Sequence, residues 1–198
     1  CYKLKTFEIP ENSELYSIET EVFSSSAVKS IFIPCHITTI VENVFGYSSL
    51  STITFSEKSE LTSIKKSAFT NTNIQNISIP AHVKEIDDYA FYGCKSLQII
   101  NFSENSELTY IGKHAFEDTA INDLFIPSNV EEIKECFCNS NVKKISISPK
   151  NKFFILYDDQ MIIKNNQGIY DNLVFVNRNA QEIFIPLFIK AINGCAFC

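Results

Sequence analysis

The sequence predicts a β-rich repeat solenoid, in which short parallel strands stack coil upon coil and one irregular, strand-rich segment interrupts the stack. Three observations predict it: a strand motif recurs about every 23 residues, an aromatic residue recurs in step with it, and prolines follow the strands. Internal repetition at such a period is typical of architectures in which each unit contacts mainly its nearest neighbours.

The strand motif has the form Leu-x-x-Ile-x-Ile-Pro. Side chains alternate between the two faces of a strand, so the central apolar residue points inward and its neighbours point outward. Proline lacks the backbone N–H that a sheet ladder requires, so the prolines that follow five of these strands mark strand ends. The central residues are spaced by 24, 22, 24, 23, 24, 21 and 38 positions and are Phe7, Ile31, Ile53, Ile77, Ile100, Leu124, Ile145 and Ile183.

Two further landmarks keep the same period. An apolar pair spaced by three residues, such as Leu61 and Ile64, follows each strand, and an Ala-Phe or similar pair comes next. We expect the Phe to anchor the core from a tight turn or a short helical piece, with each ring covered by the ring of the next coil. One coil alone buries too little apolar surface to offset its ordering, so the coils must stack. The recurring aromatic residues are Phe23, Phe45, Phe69, Phe91, Phe116, Phe137 and Phe197.

Alternate coils differ in the turn that follows the strand. Residues 10–15, 56–61 and 103–108 form longer, acidic turns, whereas residues 34–37, 80–83 and 127–130 form shorter ones. The corresponding residues Leu15, Leu61 and Leu108 are 46 and 47 positions apart. This higher period indicates duplication of a two-coil unit.

The repeats resemble a known family over residues 1–147 and 183–198. The segments Ala90-Phe91-x-x-Cys94-x-x-Leu97-x-x-Ile100-x-Phe102 and Ile79-Pro80-x-x-Val83-x-x-Ile86, with their copies, are similar to BspA-like leucine-rich repeats. The resemblance implies a curved, right-handed leucine-rich-repeat solenoid with parallel strands. Members of this family occur on or outside the cells of mucosal bacteria and parasitic protists, where they are associated with adhesion to host proteins and to other cells.

The resemblance therefore implies a non-catalytic protein-binding or adhesion module of a cell-surface or secreted protein. Its partner would be a protein, such as a host extracellular-matrix or cell-surface protein. The alternative is an intracellular or purely structural repeat scaffold that spaces other domains. Thiol state separates the two, because seven free Cys would indicate a reducing compartment.

The repeat lapses once. We expect one continuous domain, with BspA-like repeats over residues 1–148, a strand-rich interruption over residues 149–180 and a resumed repeat over residues 181–198. Within the interruption, turns near Asp158-Asp159 and Asn165-Asn166-Gln-Gly168 predict two or three antiparallel strands. Neither end carries a polar cap, so we expect a segment of a longer array.

Composition excludes several function classes. The chain has 17 Lys and Arg against 23 Asp and Glu, a net charge of −6, and therefore no overall basic field that would attract nucleic acid. Its longest apolar run is five residues, at 153–157, against the roughly 20 that span a bilayer, so we expect no membrane insertion by this segment. Motifs of metalloproteases, serine hydrolases, phosphate loops and dinucleotide sites are missing, so we expect neither an enzyme nor a cofactor.

Four apolar residues occupy positions where the strand pattern predicts contact with water: Phe32, Ile99, Phe125 and Phe184. Exposed apolar groups on a sheet favour a protein-binding surface, and we take these four as candidate partner-binding residues. Alternatively, neighbouring side chains or the interruption cover them. Phe125 and Phe184 lie nearest the interruption, so they are the first expected to be covered.

The seven Cys predict buried structural thiols rather than a metal centre. Cys138 and Cys198 could form a disulfide only if their coils stack directly, and the interruption is expected to separate them. A zinc site formed by Cys136, Cys138, Cys195 and Cys198 is disfavoured because the spacings and the phases within the coil do not fit.

Other polar residues have ordinary explanations. His36 and His82 occupy the same phase two coils apart, too far for one metal ion, and are expected to be solvated turn residues. Asn76 and Asn101 stand in N-glycosylation sequons on outward positions, where glycans would obstruct the proposed binding surface. The acidic turns are expected to form a solvated edge, with repeating carboxylates at Glu14, Glu60 and Glu107.

Overall fold

The computed structural model describes residues 3–166, 168–177 and 180–197. Over these residues the chain forms a solenoid of about seven coils with parallel strands and no helix, which confirms the predicted fold class. The strands are β1 (Ser30–Ile33), β2 (Thr39–Ile40), β3 (Thr52–Phe55), β4 (Ser63–Ile64), β5 (Asn76–Ile79), β6 (Glu85–Ile86), β7 (Ile99–Phe102), β8 (Tyr110–Ile111), β9 (Asp123–Ile126), β10 (Glu132–Ile133), β11 (Lys144–Ile147), β12 (Phe154–Tyr157), β13 (Met161–Asn166), β14 (Ile169–Val176) and β15 (Ala191–Ile192).

Among the described residues, five successive coils each contribute one four-residue strand and one two-residue strand, and the next coil contributes the four-residue strand β11. The odd-numbered strands from β1 to β11 contain the predicted motif, and the even-numbered strands from β2 to β10 end in the second residue of the apolar pair. The strands predicted around Phe7 and Ile183 do not form among the described residues.

The two series of strands pair differently. The short strands form one parallel sheet in the order β2-β4-β6-β8-β10, whereas the long strands pair only two by two, as β1-β3, β5-β7 and β9-β11. Within each pair the register aligns equivalent residues, for example Ile31 with Ile53. The face formed by the long strands is therefore divided at the boundaries between two-coil units.

Proline accounts for part of this division. The second strand of a pair can donate to the first just beyond its last residue, as Ser56 N–H does to the Ile33 carbonyl at 3.0 Å and Ser148 N–H does to Ile126 at 2.9 Å. Pro80 and Pro127 occupy the equivalent position after β5 and β9, the first strands of their pairs. Having no N–H, they cannot make the same bond to the preceding unit.

A column of aromatic rings runs through the core. We call it the Phe stack, and neighbouring centroids are 5.1–5.7 Å apart with ring planes within 8–12° of each other. Phe7 tilts against one end of the stack at 4.8 Å, and Phe175 meets the other end edge-on at 5.5 Å. The predicted covering of each ring by the next is therefore observed from Phe23 to Phe137, but it is wrong for Phe197, which is exposed and lies outside the stack while Phe175 covers the Phe137 ring. The members are Phe23, Phe45, Phe69, Phe91, Phe116 and Phe137.

The turn that carries each Phe is held by the backbone rather than by a helix. Asn43 and Tyr47 flank Phe45 with positive φ angles of 54° and 59°, and the same pattern recurs in neighbouring coils. The alternating backbone turns the Phe45 N–H toward the next coil, where it donates to the Ala68 carbonyl at 3.0 Å. Equivalent bonds continue this ladder at Phe23, Phe69, Phe91 and Phe116.

The interruption is an antiparallel sheet of β12, β13 and β14, and β15 of the resumed coil pairs parallel to β14. The turn between β12 and β13 contains Asp158 and Asp159 with φ angles of 52° and 53°, as a tight hairpin turn requires. Ile162 and Phe175 join the main core, whereas Met161 and Leu173 form a second small core with Ala196. The inserted sheet is therefore buried on both faces, between the array and the resumed coil.

Asn151 attaches the inserted sheet to the array. Its side-chain amide donates to the carbonyl groups of Pro127 at 2.7 Å and Val130 at 3.1 Å. Its side-chain oxygen accepts the N–H groups of Phe153 at 2.8 Å and Phe154 at 2.9 Å. One side chain thus satisfies the backbone on both sides of the junction.

The Phe stack predicts a large difference between two Phe→Ala substitutions. Phe91 is fully buried in the middle of the stack, so Phe91→Ala should lower the free energy of unfolding by about 3–5 kcal/mol. The matched control, Phe125→Ala on the outward face, should lower it by about 1 kcal/mol or less. Urea unfolding followed by circular dichroism measures both. Equal losses would contradict the assignment of the stack as the core.

Candidate functional site

The outward side chains of the six long strands form what we call the strand face. Most are small or polar, including Thr54, Asn76, Ser78 and Asn101, and all four are exposed. Inward neighbours on the same strands, such as Ile77, are buried. The predicted alternation is therefore present, and the few apolar groups on this face stand out against a polar background.

Two of the four predicted binding residues meet at one cleft. Ile99 on β7 is 49% exposed and Phe125 on β9 is 38% exposed. Both line a cleft of about 530 Å³ at the boundary between two strand pairs, together with Asn101, Asp123 and Lys144. We call it the β7–β9 cleft. It exists because β7 and β9 belong to different two-coil units and do not form a ladder with each other.

The other two predicted residues lie elsewhere. Phe32 on β1 is half-buried and shares a shallow pocket with Phe55 of the neighbouring strand. Phe184 is 84% exposed and belongs to no strand of the described chain. The expectation that Phe125 and Phe184 would be covered first is wrong. The inserted sheet packs onto the end of the array as a further layer and leaves both side chains open.

A second cleft, of about 650 Å³, lies at the other boundary between strand pairs, β3 and β5. The outward side chains that line it are polar, among them Thr54, Asn76 and Ser78. Both clefts have the same structural origin. The β3–β5 cleft also contains half-buried apolar groups, Phe55 and Pro80 among them, but only the β7–β9 cleft has apolar residues at the outward positions of its described strands.

The acidic turns form an edge beside the strand face. His36 lies 3.9 Å from Glu60, and the Nδ1 atom of His82 lies 2.9 Å from a carboxylate oxygen of Glu107. Lys84 approaches the same carboxylate at 3.8 Å. Both His side chains are more than half exposed, in agreement with solvated turn residues. Sequence reasoning missed these pairs, although separations of 24 and 25 residues, about one coil, could have indicated them.

The cysteines require a correction. Cys138 and Cys195 form a disulfide with Cα atoms 5.7 Å apart, whereas the sequence predicted buried thiols at both. Cys138 follows the Phe of its coil, whereas Cys195 precedes the Ala196-Phe197 pair. The two residues can meet because the resumed coil packs on the inserted sheet and does not continue the register of the array. Close packing of the two turns is evident at Gly194, where a Cβ atom would collide with the Glu135 side chain.

Two other cysteines are buried thiols as expected. Burial raises the pKa of the Cys94 thiol to about 11, while a hydrogen bond with Thr72 acts in the opposite direction. Burial also raises the pKa of the Cys136 thiol well above its ordinary value. Cys35 is only partly buried. The first two thiols are therefore poor nucleophiles at neutral pH.

One group of side chains within the described residues could hold a metal ion. The ligand atoms of His114, Glu117 and Cys138 all lie within 4.8 Å of one another. They come from the Phe-bearing turns of two successive coils. Sequence analysis missed them because 24 residues separate His114 from Cys138, and no short motif connects them.

Comparison with known proteins decides the family. The profile described as BspA type Leucine rich repeat region matches in six copies, over residues 1–80 and 62–198. The chain belongs to this family. A search of curated protein sequences gave no significant match for this BspA-type chain.

Two solved structures share the fold of this BspA-type chain. The pneumococcal vaccine antigen PcpA matches 99% of this chain and 53% of its own, with 22% identity and a TM-score of 0.82. A leucine-rich cell surface protein of Faecalibacterium prausnitzii A2-165 matches 96% of this chain and 59% of its own, with 19% identity and a TM-score of 0.65. The BspA-type chain therefore spans little more than half the length of either structure. Within the described residues, none of its segments is a helix capable of crossing a bilayer.

Thiol mapping tests the cysteine assignments. Iodoacetamide at neutral pH should alkylate Cys35 in native, non-reduced protein but not Cys94 or Cys136, because their thiols are buried and protonated. Labelling of Cys94 should increase as the pH approaches about 11. Peptide mass mapping should recover Cys138 linked to Cys195. Protein unfolded in guanidinium with a reductant provides the fully alkylated control, and free Cys138 in the native sample would refute the bridge.

Proposed function

We propose that this chain is a non-catalytic module that binds a protein partner through the β7–β9 cleft. The observation that supports it most directly is the placement of Ile99 and Phe125 on neighbouring strands at the rim of one cleft. Buried anchors surrounded by polar groups are the usual source of affinity at protein interfaces. The polar strand face would provide such a surround.

The composition of the cleft favours a protein over a small metabolite. Asp123 and Lys144 place opposite charges beside the two apolar side chains, and Asn101 and Ser146 add groups that can donate and accept hydrogen bonds. A protein segment carries apolar side chains, charges and backbone amides together, so it could satisfy all of these groups at once. The cleft is also open along the strand face, as an extended partner requires.

We further propose that the protein acts at the cell surface or after secretion, with a host extracellular-matrix or cell-surface protein as its partner. Disulfides persist mainly in oxidising environments, so the Cys138–Cys195 bridge supports export and weighs against the intracellular scaffold. The structural relatives are described as a vaccine antigen and as a cell surface protein, which supports the same location. Membership of the BspA-type family supports an adhesive role.

The test removes the two apolar anchors. The double variant Ile99→Ser, Phe125→Ser should bind an immobilised matrix protein at least about 30-fold more weakly, since the loss of even one anchor costs roughly 2 kcal/mol. Surface plasmon resonance over immobilised fibronectin, laminin and collagen measures the affinity of wild type and variant. The melting temperature should fall by only a few degrees because both side chains are partly exposed.

The matched control is Phe184→Ser, which removes an exposed aromatic group that does not line the β7–β9 cleft. It should leave the affinity unchanged. If Phe184→Ser weakens binding while the double variant does not, the binding surface lies elsewhere. If none of the matrix proteins binds wild type, the matrix class of partner is wrong for this chain.

A further inference from the structure

We propose that the Cys138–Cys195 disulfide gates a zinc-type metal site that opens when the bridge is reduced. The ligands would be His114, Glu117 and Cys138, with Cys195 in reach of the fourth position. In the oxidised protein the two sulfur atoms are bonded to each other and the site is closed. This inference is independent of the proposed partner binding.

The fold brings the ligands together through the Phe stack. His114 and Glu117 stand on either side of the pair that contains Phe116, and Cys138 directly follows Phe137 in the next coil. The Phe116 and Phe137 rings stack with centroids 5.7 Å apart. The N–H of Asp118 donates to the Cys138 carbonyl at 3.2 Å, so the backbone fixes the two turns against each other.

The His114 ring is already held in place. It stacks on Tyr89 with centroids 5.0 Å apart, and its Nδ1 atom lies against a carboxylate oxygen of Glu117. The two side chains are only 20% and 16% exposed. Such partial burial limits competition from water and keeps the ligands oriented before a metal ion arrives.

The cluster departs from the repeat. The residues equivalent to His114 in the four preceding coils are different in each and none is a histidine: Glu21, Asn43, Ser67 and Tyr89. The residues equivalent to Cys138 are also varied and none is a cysteine: Ser24, Gly46, Thr70, Tyr92 and Glu117. The coil geometry therefore requires neither a histidine at position 114 nor a cysteine at position 138. Their proximity between these two coils indicates a function specific to this pair of turns.

The donor set fits zinc. Imidazole, carboxylate and thiolate are all zinc ligands, and bond lengths of about 2.0–2.3 Å place the ligand atoms of a tetrahedral site roughly 3–4 Å apart. The three ligand atoms within 4.8 Å of one another need only small side-chain rotations to reach this spacing. The Cα atoms of Cys138 and Cys195 are 5.7 Å apart, close enough for both thiolates to reach one ion.

The redox step balances with an external dithiol. The dithiol transfers two electrons and two protons to the Cys138–Cys195 bond, which becomes two thiols, while the dithiol itself becomes a disulfide. Zinc binding then releases the protons of the ligating thiols, because the thiolate is the form that binds metal. After zinc removal, exchange with an external disulfide, which takes up the two electrons and two protons and becomes a dithiol, would restore the bridge.

Cobalt(II) substitution tests the proposal, since a thiolate bound to cobalt gives a charge-transfer band in the near ultraviolet. A background variant with Cys1, Cys35 and Cys198 replaced by Ser removes the other thiols that are not known to be buried. After reduction with dithiothreitol and its removal under anaerobic conditions, this protein should bind one cobalt ion with that band, and zinc should displace the cobalt. The non-reduced protein should show no band.

Ligand variants decide whether the site is the one proposed. Glu117→Gln and His114→Ala should each weaken cobalt binding by roughly 10–100-fold or more, the range seen when even outer ligand partners are lost. Glu117→Gln preserves the shape of the side chain, so circular dichroism should show an intact fold. The matched control is His82→Ala with Glu107→Gln, which removes the other close His–carboxylate pair and should leave binding unchanged.

Three outcomes would overturn the proposal. Cobalt could bind equally to the oxidised and reduced proteins, which would remove the gate. It could bind to the reduced protein without dependence on His114 or Glu117, which would place the thiolate site elsewhere. It could also fail to bind a reduced protein whose circular dichroism spectrum is native, which would mean that the cluster is not a metal site.

Discussion

Ring-on-ring packing in the Phe stack is the constraint on which the rest of the structure depends. Because adjacent rings lie 5.1–5.7 Å apart and nearly parallel, every coil must keep the same rise and phase at this point. The positive-φ turns beside each ring supply the backbone ladder that holds this rise. Most of the variation in length lies in the turns that follow the long strands, where longer acidic turns and shorter turns alternate.

That variation explains how a regular core can carry an irregular surface. The proline-terminated strands interrupt hydrogen bonding between two-coil units, so clefts open between β3 and β5 and between β7 and β9. The interior remains continuous beneath them. A repeat protein can thus acquire apolar side chains at one boundary by changing only outward residues, as at Ile99 and Phe125, without disturbing the stack.

The sequence predicted the features that repeat and missed those that depend on a single junction. Periodic Phe and Ile residues sufficed for the solenoid, the stack and the outward positions. The exposure of Phe125 depends on where the inserted sheet packs, and the period of the repeat carries no information about that position. The Cys138–Cys195 bridge was missed for the same reason, because the resumed coil takes its register from β14. The partnership of His82 with Glu107 required knowing which residues of adjacent coils face each other.

The bridge has a mechanical consequence. Its two ends are 57 positions apart in the chain and enclose the whole inserted sheet. If tension unfolded the coils one after another, the chain between the two bridged cysteines could not be pulled out to its full length. At about 3.3–3.6 Å per residue, the bridge would keep roughly 190–200 Å of chain from extending. Under load, the segment beyond the last regular coil would therefore stay attached to the array as one covalently closed loop. The coils before it could unfold and extend one at a time.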